Sequence, residues 1–148
     1  MTTYFEDLTL GQVFHSPRSV RMTREDIVSF ASAWDPQLYH IDDEAARDTP
    51  VGQLFASAVH TLAVSQKLAH EAGAFKVLPV VGLGLSDIRI PLPVLVDDEI
   101  RTQATVSEKR ASTSRPGLGV VTLEIQTQNQ RNEVVLSFSL SELVRMRP

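Results

Sequence analysis

An acid and a histidine five residues apart, Asp35 and His40, stand in the segment Asp35-Pro36-Gln37-Leu38-Tyr39-His40-Ile41-Asp42. Proline breaks any helix there, because the residue before it is pushed out of the helical region. A loop of this kind can aim both side chains at one water. Histidine changes charge near neutral pH without a large shift, so it can take up a proton and return it. Shortly downstream, Gly52-Gln53-Leu54-Phe55-Ala56-Ser57-Ala58 opens a long apolar run that starts with small residues. The first N–H groups of a helix lack intrahelical partners and lie at the positive end of its dipole. An acid, a base and free donors together suit a reaction that moves protons while charge builds on a carbonyl oxygen. Taken singly, Asp35 is a common turn residue and His40 an ordinary packed or surface histidine; their combination carries the expectation.

The flanking sequence supplies elements to hold these groups. Residues 11–22 read as an extended leading segment containing Pro17. A helix follows from Thr23, with Asp26 three residues on in a near relative of the capping box. Ile27, Phe30, Ala31 and Trp34 recur at helical spacing, and Asp35-Pro36 ends the stripe. Asp42 reads as the cap of a short helical turn over 42–47. From about Gln53 to Ala72 the chain is apolar on most sides, which predicts a buried helix, with Gly73 placed to stop it.

Beyond residue 99 the period changes. Ile100, Ala104 and Val106, then Val121, Leu123 and Ile125, then Val134, Leu136, Phe138 and Leu140, alternate with polar residues. Alternation of this kind marks strands with one buried face. The expected architecture is α+β: a long buried central helix wrapped by an antiparallel sheet of at least four strands, one domain over residues 1–148. Such a sheet leaves an edge that a second copy of the chain would cover.

Ser57 and Thr61 are either helix-start caps or hydrogen-bond donors to Asp35 or a substrate. His60 and His70 read as structural, and His15 has no evident partner. No pair of histidines has ligand spacing beside an acidic cluster, so neither a metal nor a cofactor is expected. Gly82-Leu83-Gly84 lacks the third glycine and following helix of a dinucleotide loop, and predicts a strand lying close to another backbone or to a substrate arm.

Composition narrows the function classes. The 148 residues are 43% hydrophobic and 22% charged, with a formal net charge of −4, and the basic residues are scattered. That argues against a nucleic-acid footprint. The absence of cysteine removes thiolate chemistry and disulfides. The N-terminus lacks the charged and apolar regions of a signal peptide. Gln53, His60, Gln66 and Lys67 interrupt the longest apolar stretch, which argues against a membrane span. A cytoplasmic protein is the default expectation.

The chain resembles the MaoC-like dehydratases, the hot-dog-fold family that includes the (R)-specific enoyl-CoA hydratases. The resemblance rests on Asp35-Pro36-Gln37 with His40 and Asp42, Glu44-Ala45-Ala46-Arg47, Ala56-Ser57-Ala58-Val59-His60-Thr61, Glu108-Lys109-Arg110 and Ser114-Arg115-Pro116-Gly117, in order over nearly the whole chain. It departs from the family pattern at Trp34, Leu38 and Ala58, where glycine, proline and glycine are usual. What the resemblance implies is a hydratase or dehydratase acting on an enoyl thioester of coenzyme A or acyl carrier protein. Asp35 and His40 would be its acid–base pair, and the backbone N–H of Ala58 would face the thioester oxygen. Ser57 and Thr61 would lie among the substrate contacts. The family usually works as dimers, so a homodimer is expected, with a heterodimer as the variant. The same fold hosts thioesterases, and a non-catalytic acyl-binding partner subunit is the remaining alternative.

Overall fold

The computed structural model describes residues 3–77 and 79–148. A 3-10 turn over Phe5–Asp7 is followed by two short strands, β1 (Val13–His15) and β2 (Val20–Arg21), and helix α1 (Arg24–Trp34). A second 3-10 turn, Leu38–His40, and helix α2 (Asp43–Arg47) lead to the long helix α3 (Ala58–Glu71). Four long strands complete the chain: β3 (Pro79–Arg89), β4 (Glu99–Ala111), β5 (Leu118–Gln128) and β6 (Val134–Arg145).

The helix ends follow their capping residues. The Thr23 hydroxyl accepts from the Asp26 N–H at 3.2 Å, and the Asp42 carboxylate accepts from the Ala45 N–H at 2.9 Å. Each satisfies an orphan donor of a first turn. Helix α1 stops at Asp35, where φ is −152° and ψ 73°. Gly73 follows α3 with φ of +91°, the left-handed conformation that closes a helix and that glycine adopts freely.

Two expectations about α3 are corrected. The helix begins at Ala58 and not near Gln53. Residues 53–57 are tied outward instead: Phe55 bridges Leu95, and the Ala56 N–H donates to the Val94 carbonyl at 2.8 Å. An apolar run does not by itself distinguish a buried helical turn from a buried extended strand. Nor is α3 buried all round. His60, Thr61, Ser65, Leu68 and Ala69 point inward, whereas Val59 is 50% exposed and Ala63 is exposed.

The sheet is antiparallel, ordered β1-β4-β5-β6-β3, with β2 also paired to β4. The predicted alternation is realised: Ala104, Val106, Leu123, Ile125, Leu136 and Phe138 form one buried face, which packs on Ala69 and Leu62 of α3. A second cluster, with Met22, Ile27, Ala46, Leu54, Leu68 and Ile100, lies beneath α1 and α2. A buried polar chain crosses between helix and sheet. The Thr102 and Thr127 hydroxyls are 2.8 Å apart, Thr127 donates to Ser65 Oγ at 2.7 Å, and Ser65 donates to the Thr61 carbonyl at 2.7 Å. Buried hydroxyls satisfied in this way fix the rotation of α3 against the sheet, and so fix where its first N–H groups point.

At the far end of β5, Gly119 lies under the Phe5 ring; a Cβ there would come within 2.3 Å of it. The side-chain-free position lets the N-terminal turn pack flat, and Lys109 Nζ sits 4.4 Å above the same ring. Strand β3 contrasts with the rest. Among the described residues it pairs only with β6, and every one of its residues is exposed. Gly82 and Gly84 pair with Glu142 and Ser141 of β6, and among the described residues nothing lies within 4 Å of a Cβ built at either. The β3 register slips between Gly82 and Gly84 and again between Ser86 and Arg89, with Asp87 at φ of +51°. Such bulges add twist to an edge strand.

Candidate active site

The fold brings Asp35, His40, Ala58 and Thr61 to the wall of one cavity of about 550 Å³. Asp35 arrives as the C-cap of α1, held by its own N–H donating to the Ala31 carbonyl at 2.9 Å. His40 arrives at the end of the 3-10 turn, whose N–H to Gln37 bond of 3.0 Å closes the loop after Pro36. The Asp35 Oδ2 and His40 Nε2 atoms face each other at 3.7 Å. That exceeds hydrogen-bond length, and both atoms keep capacity for a third group placed between or beside them.

The histidine's environment defines its tautomer. Its Nδ1 lies 2.8 Å from the Phe55 carbonyl oxygen, which can only accept. The proton therefore sits on Nδ1, and in the neutral ring Nε2 carries the lone pair, directed at Asp35 and the cavity. Tyr39 and Phe55 pack edge-on against the imidazole at 4.6 and 4.8 Å between centroids. The ring is thereby held, with a side chain only 6% exposed.

Ser57 joins both halves of the site. Its hydroxyl donates to Asp35 Oδ2 at 2.6 Å and accepts the Val59 N–H at 3.2 Å, capping α3. Both roles weighed for it in the sequence are thus filled. Its side chain is fully buried and is not part of the cavity wall. Thr61 does line the cavity, with its hydroxyl 3.4 Å from the Ser57 carbonyl. Ala58 is the first residue of α3, so its N–H lacks an intrahelical acceptor and points from the positive end of the helix. Asp42 serves as the cap of α2 and is not part of the cavity wall.

Sequence reasoning missed the apolar wall, which includes Tyr39, Val51, Phe55, Ile90 and Val94. Val51, Ile90 and Val94 come from segments far apart in the chain, and no local spacing links them. The Phe55 carbonyl is a backbone group and has no residue-type signal at all. Among the described residues there is no group of three or more His, Asp and Glu side chains able to hold a metal ion. No helix among them is long and apolar enough to cross a membrane.

His60, the next histidine along α3, is 7% exposed and stacks on Phe30 of α1 at 4.4 Å and 7°. Burial holds its pKa below the ordinary value, opposed only partly by the charge of Asp26. The unfolded chain therefore binds this proton first as pH falls below about 6.5, and native stability declines from there downward. Replacing His60 with Phe is expected to shrink the drop in melting temperature between about pH 7.5 and about pH 5.5. An unchanged drop would assign the acid sensitivity to other groups.

Comparison with known proteins matches this arrangement to one family. Residues 6–129 match the MaoC like domain. The chain is 34% identical over 140 residues to the uncharacterized protein YdeM of Bacillus subtilis, covering 95% of this chain and 97% of that protein. It is 34% identical over 89 residues to 3-hydroxyacyl-thioester dehydratase Z of Mycobacterium tuberculosis, covering 59% of each chain. Among solved structures, a MaoC-like dehydratase from Rhodospirillum rubrum superposes with a TM-score of 0.90 at 36% identity, over 99% of both chains. A Mycobacterium tuberculosis protein described as having a double hotdog fold matches at TM-score 0.75 and 21% identity, over 99% of this chain and 45% of that one. The helix wrapped by an antiparallel sheet is thus the hot-dog fold, and the chain belongs to the MaoC-like dehydratase family.

Proposed function

We propose that the 148 residues act as one hot-dog domain that hydrates a trans-2-enoyl thioester, or dehydrates the corresponding 3-hydroxyacyl thioester. The observation that carries this reading is the pairing of Asp35 Oδ2 with His40 Nε2 at 3.7 Å on the wall that also holds the start of α3. In the hydration direction a water lies between these two atoms. His40 Nε2 takes one of its protons as the water oxygen bonds to C3. The C2=C3 pair shifts toward C2, and charge builds on the thioester oxygen, met by the Ala58 N–H. The proton passes from His40 to Asp35, which delivers it to C2, so one water is added and both side chains return to their starting states. The apolar wall from Tyr39, Val51, Phe55 and Ile90 suits an acyl chain. Its kinship with a 3-hydroxyacyl-thioester dehydratase supports the substrate class.

The enzyme works as a dimer in this proposal, with β3 as the seam. The outer edge of β3 offers unpaired backbone groups, and its Val80, Val81, Leu83, Leu85 and Ile88 are 45–52% exposed. Beside it, Val59 and Ala63 of α3 and Leu85 line an apolar groove. A second copy would cover strand edge and groove at once.

Incubating the protein with crotonyl-CoA and a longer trans-2-enoyl-CoA, and following the conjugated enoyl absorbance, tests the reaction. Loss of absorbance with a 3-hydroxyacyl product is the expected outcome. Release of free thiol would replace this reading with thioester hydrolysis. Replacing Ser57 with Ala is expected to lower kcat more than it changes KM, because Asp35 loses its anchor. The lost cap should cost about 1 kcal/mol of stability, read from denaturant unfolding. An unchanged kcat would remove Ser57 from the positioning of Asp35.

A further inference from the structure

Two helix ends carry groups of the candidate site. Asp35 closes α1, and Ser57 caps the start of α3. One hydrogen bond joins them, from the Ser57 hydroxyl to Asp35 Oδ2 at 2.6 Å. A single hydrogen bond is a pivot: it fixes a distance and leaves the carboxylate free to turn about it. His40 Nε2 lies 3.7 Å from the same oxygen, so the direction of the carboxylate needs a second restraint. Catalytic geometry must be held within about 0.5 Å and 10–20° of the productive arrangement.

About one turn from that bond on each helix, the rings of Phe30 and His60 stack at 4.4 Å between centroids and 7° between planes. Phe30 directly precedes Ala31, whose carbonyl accepts the Asp35 N–H at 2.9 Å. A short, hydrogen-bonded stretch of backbone therefore joins the ring to the carboxylate. His60 is buried, and its Nδ1 has no hydrogen-bond partner among the described residues. Burial favours the neutral ring, against the charge of Asp26 on α1. The flat face of the imidazole is thus what this contact uses, and not that nitrogen. Helix α3 is itself fixed on the sheet, since Thr127 donates to Ser65 and Ser65 to the Thr61 carbonyl. The stack ties the end of α1 to that fixed element. Deeper down, Ile27 of α1 and Leu68 of α3 belong to one buried cluster, so α1 stays attached without the stack but gains freedom to tilt.

We propose that His60 is a positioning residue for the hydration reaction: its stack on Phe30 orients the end of α1 and, through it, the Asp35 carboxylate that Ser57 tethers. His60 is not part of the cavity wall, so it acts through Asp35 and touches no substrate. The proposal rests on the hydratase reading given above.

The test compares wild type with His60→Leu, which stays apolar but loses the flat face, and His60→Phe, which keeps it. The substrate is whichever of crotonyl-CoA and the longer trans-2-enoyl-CoA the wild type hydrates faster. His60→Leu is expected to lower kcat by about 10–10²-fold while KM changes by less than about twofold. His60→Phe is expected to recover most of that kcat. Phe30→Leu removes the same stack from α1 and should repeat the His60→Leu kinetics, which also covers the case of a His60→Leu chain that does not fold. The Asp35→Asn background separates positioning from general damage. With the carboxylate gone, His60→Leu should change the residual kcat by less than about twofold, whereas a merely structural defect would lower it by the same factor as before. Such an equal loss, or full kcat in both folded leucine variants, would overturn the positioning role and leave the hydratase reading intact. His60→Phe as impaired as His60→Leu would likewise overturn it, since the stack would not be what matters. A wild-type protein that hydrates neither thioester overturns the hydratase reading, and the role of His60 with it.

Discussion

Replacing His40 with Ala is expected to lower kcat for hydration by roughly 10²–10⁴-fold, the usual worth of one acid–base group. Asp35→Asn should fall in the same range, and the double variant should lose little more than either single one, because the two act on one water. The structure explains why the fold should survive. His40 makes its Nδ1 bond to the Phe55 carbonyl from the loop after α1, and Asp35 sits at a helix end, 27% exposed. Neither is part of the apolar clusters on the sheet or beneath α1 and α2. Far-ultraviolet circular dichroism and a thermal melt alongside the kinetics separate lost chemistry from lost structure. Full activity in two folded variants would remove the pair from the mechanism, whatever the family.

Leu85→Glu should convert a dimer into a monomer. In the single protomer Leu85 is 49% exposed, so a carboxylate there stays in water and changes folding stability by about 0.5 kcal/mol or less. In the paired state the same carboxylate enters an apolar groove beside Val59, Leu62 and Ala63 with no cation opposite it in the groove wall. Burying an unpaired charge costs several kcal/mol, enough to dissociate a moderate interface. Sedimentation velocity would read the mass, and a melt would show that the protomer remains folded. Persistence of the dimer, or a wild-type monomer, would reject β3 as the seam.

The sequence by itself determined the local elements wherever one residue decides the outcome. Thr23, Asp42 and Gly73 mark helix ends because a single hydroxyl, carboxylate or left-handed glycine satisfies orphan backbone groups. The alternation in β4, β5 and β6 was equally legible, since a two-residue period with one apolar face has only one regular reading. Asp35 and His40 could be named as candidates because Pro36 places them on a loop. Other features depended on groups distant in the chain. The true start of α3 was set by the backbone bond from Ala56 to Val94, which no window around residue 53 contains. The tautomer of His40 was set by a carbonyl fifteen residues away. That Ser57 holds Asp35 while capping α3 required the two segments to meet, as did the apolar cavity wall. Short-range patterns record the free energy of one turn or one strand face. The site is made of contacts between segments, and those exist only once the sheet and α3 have packed.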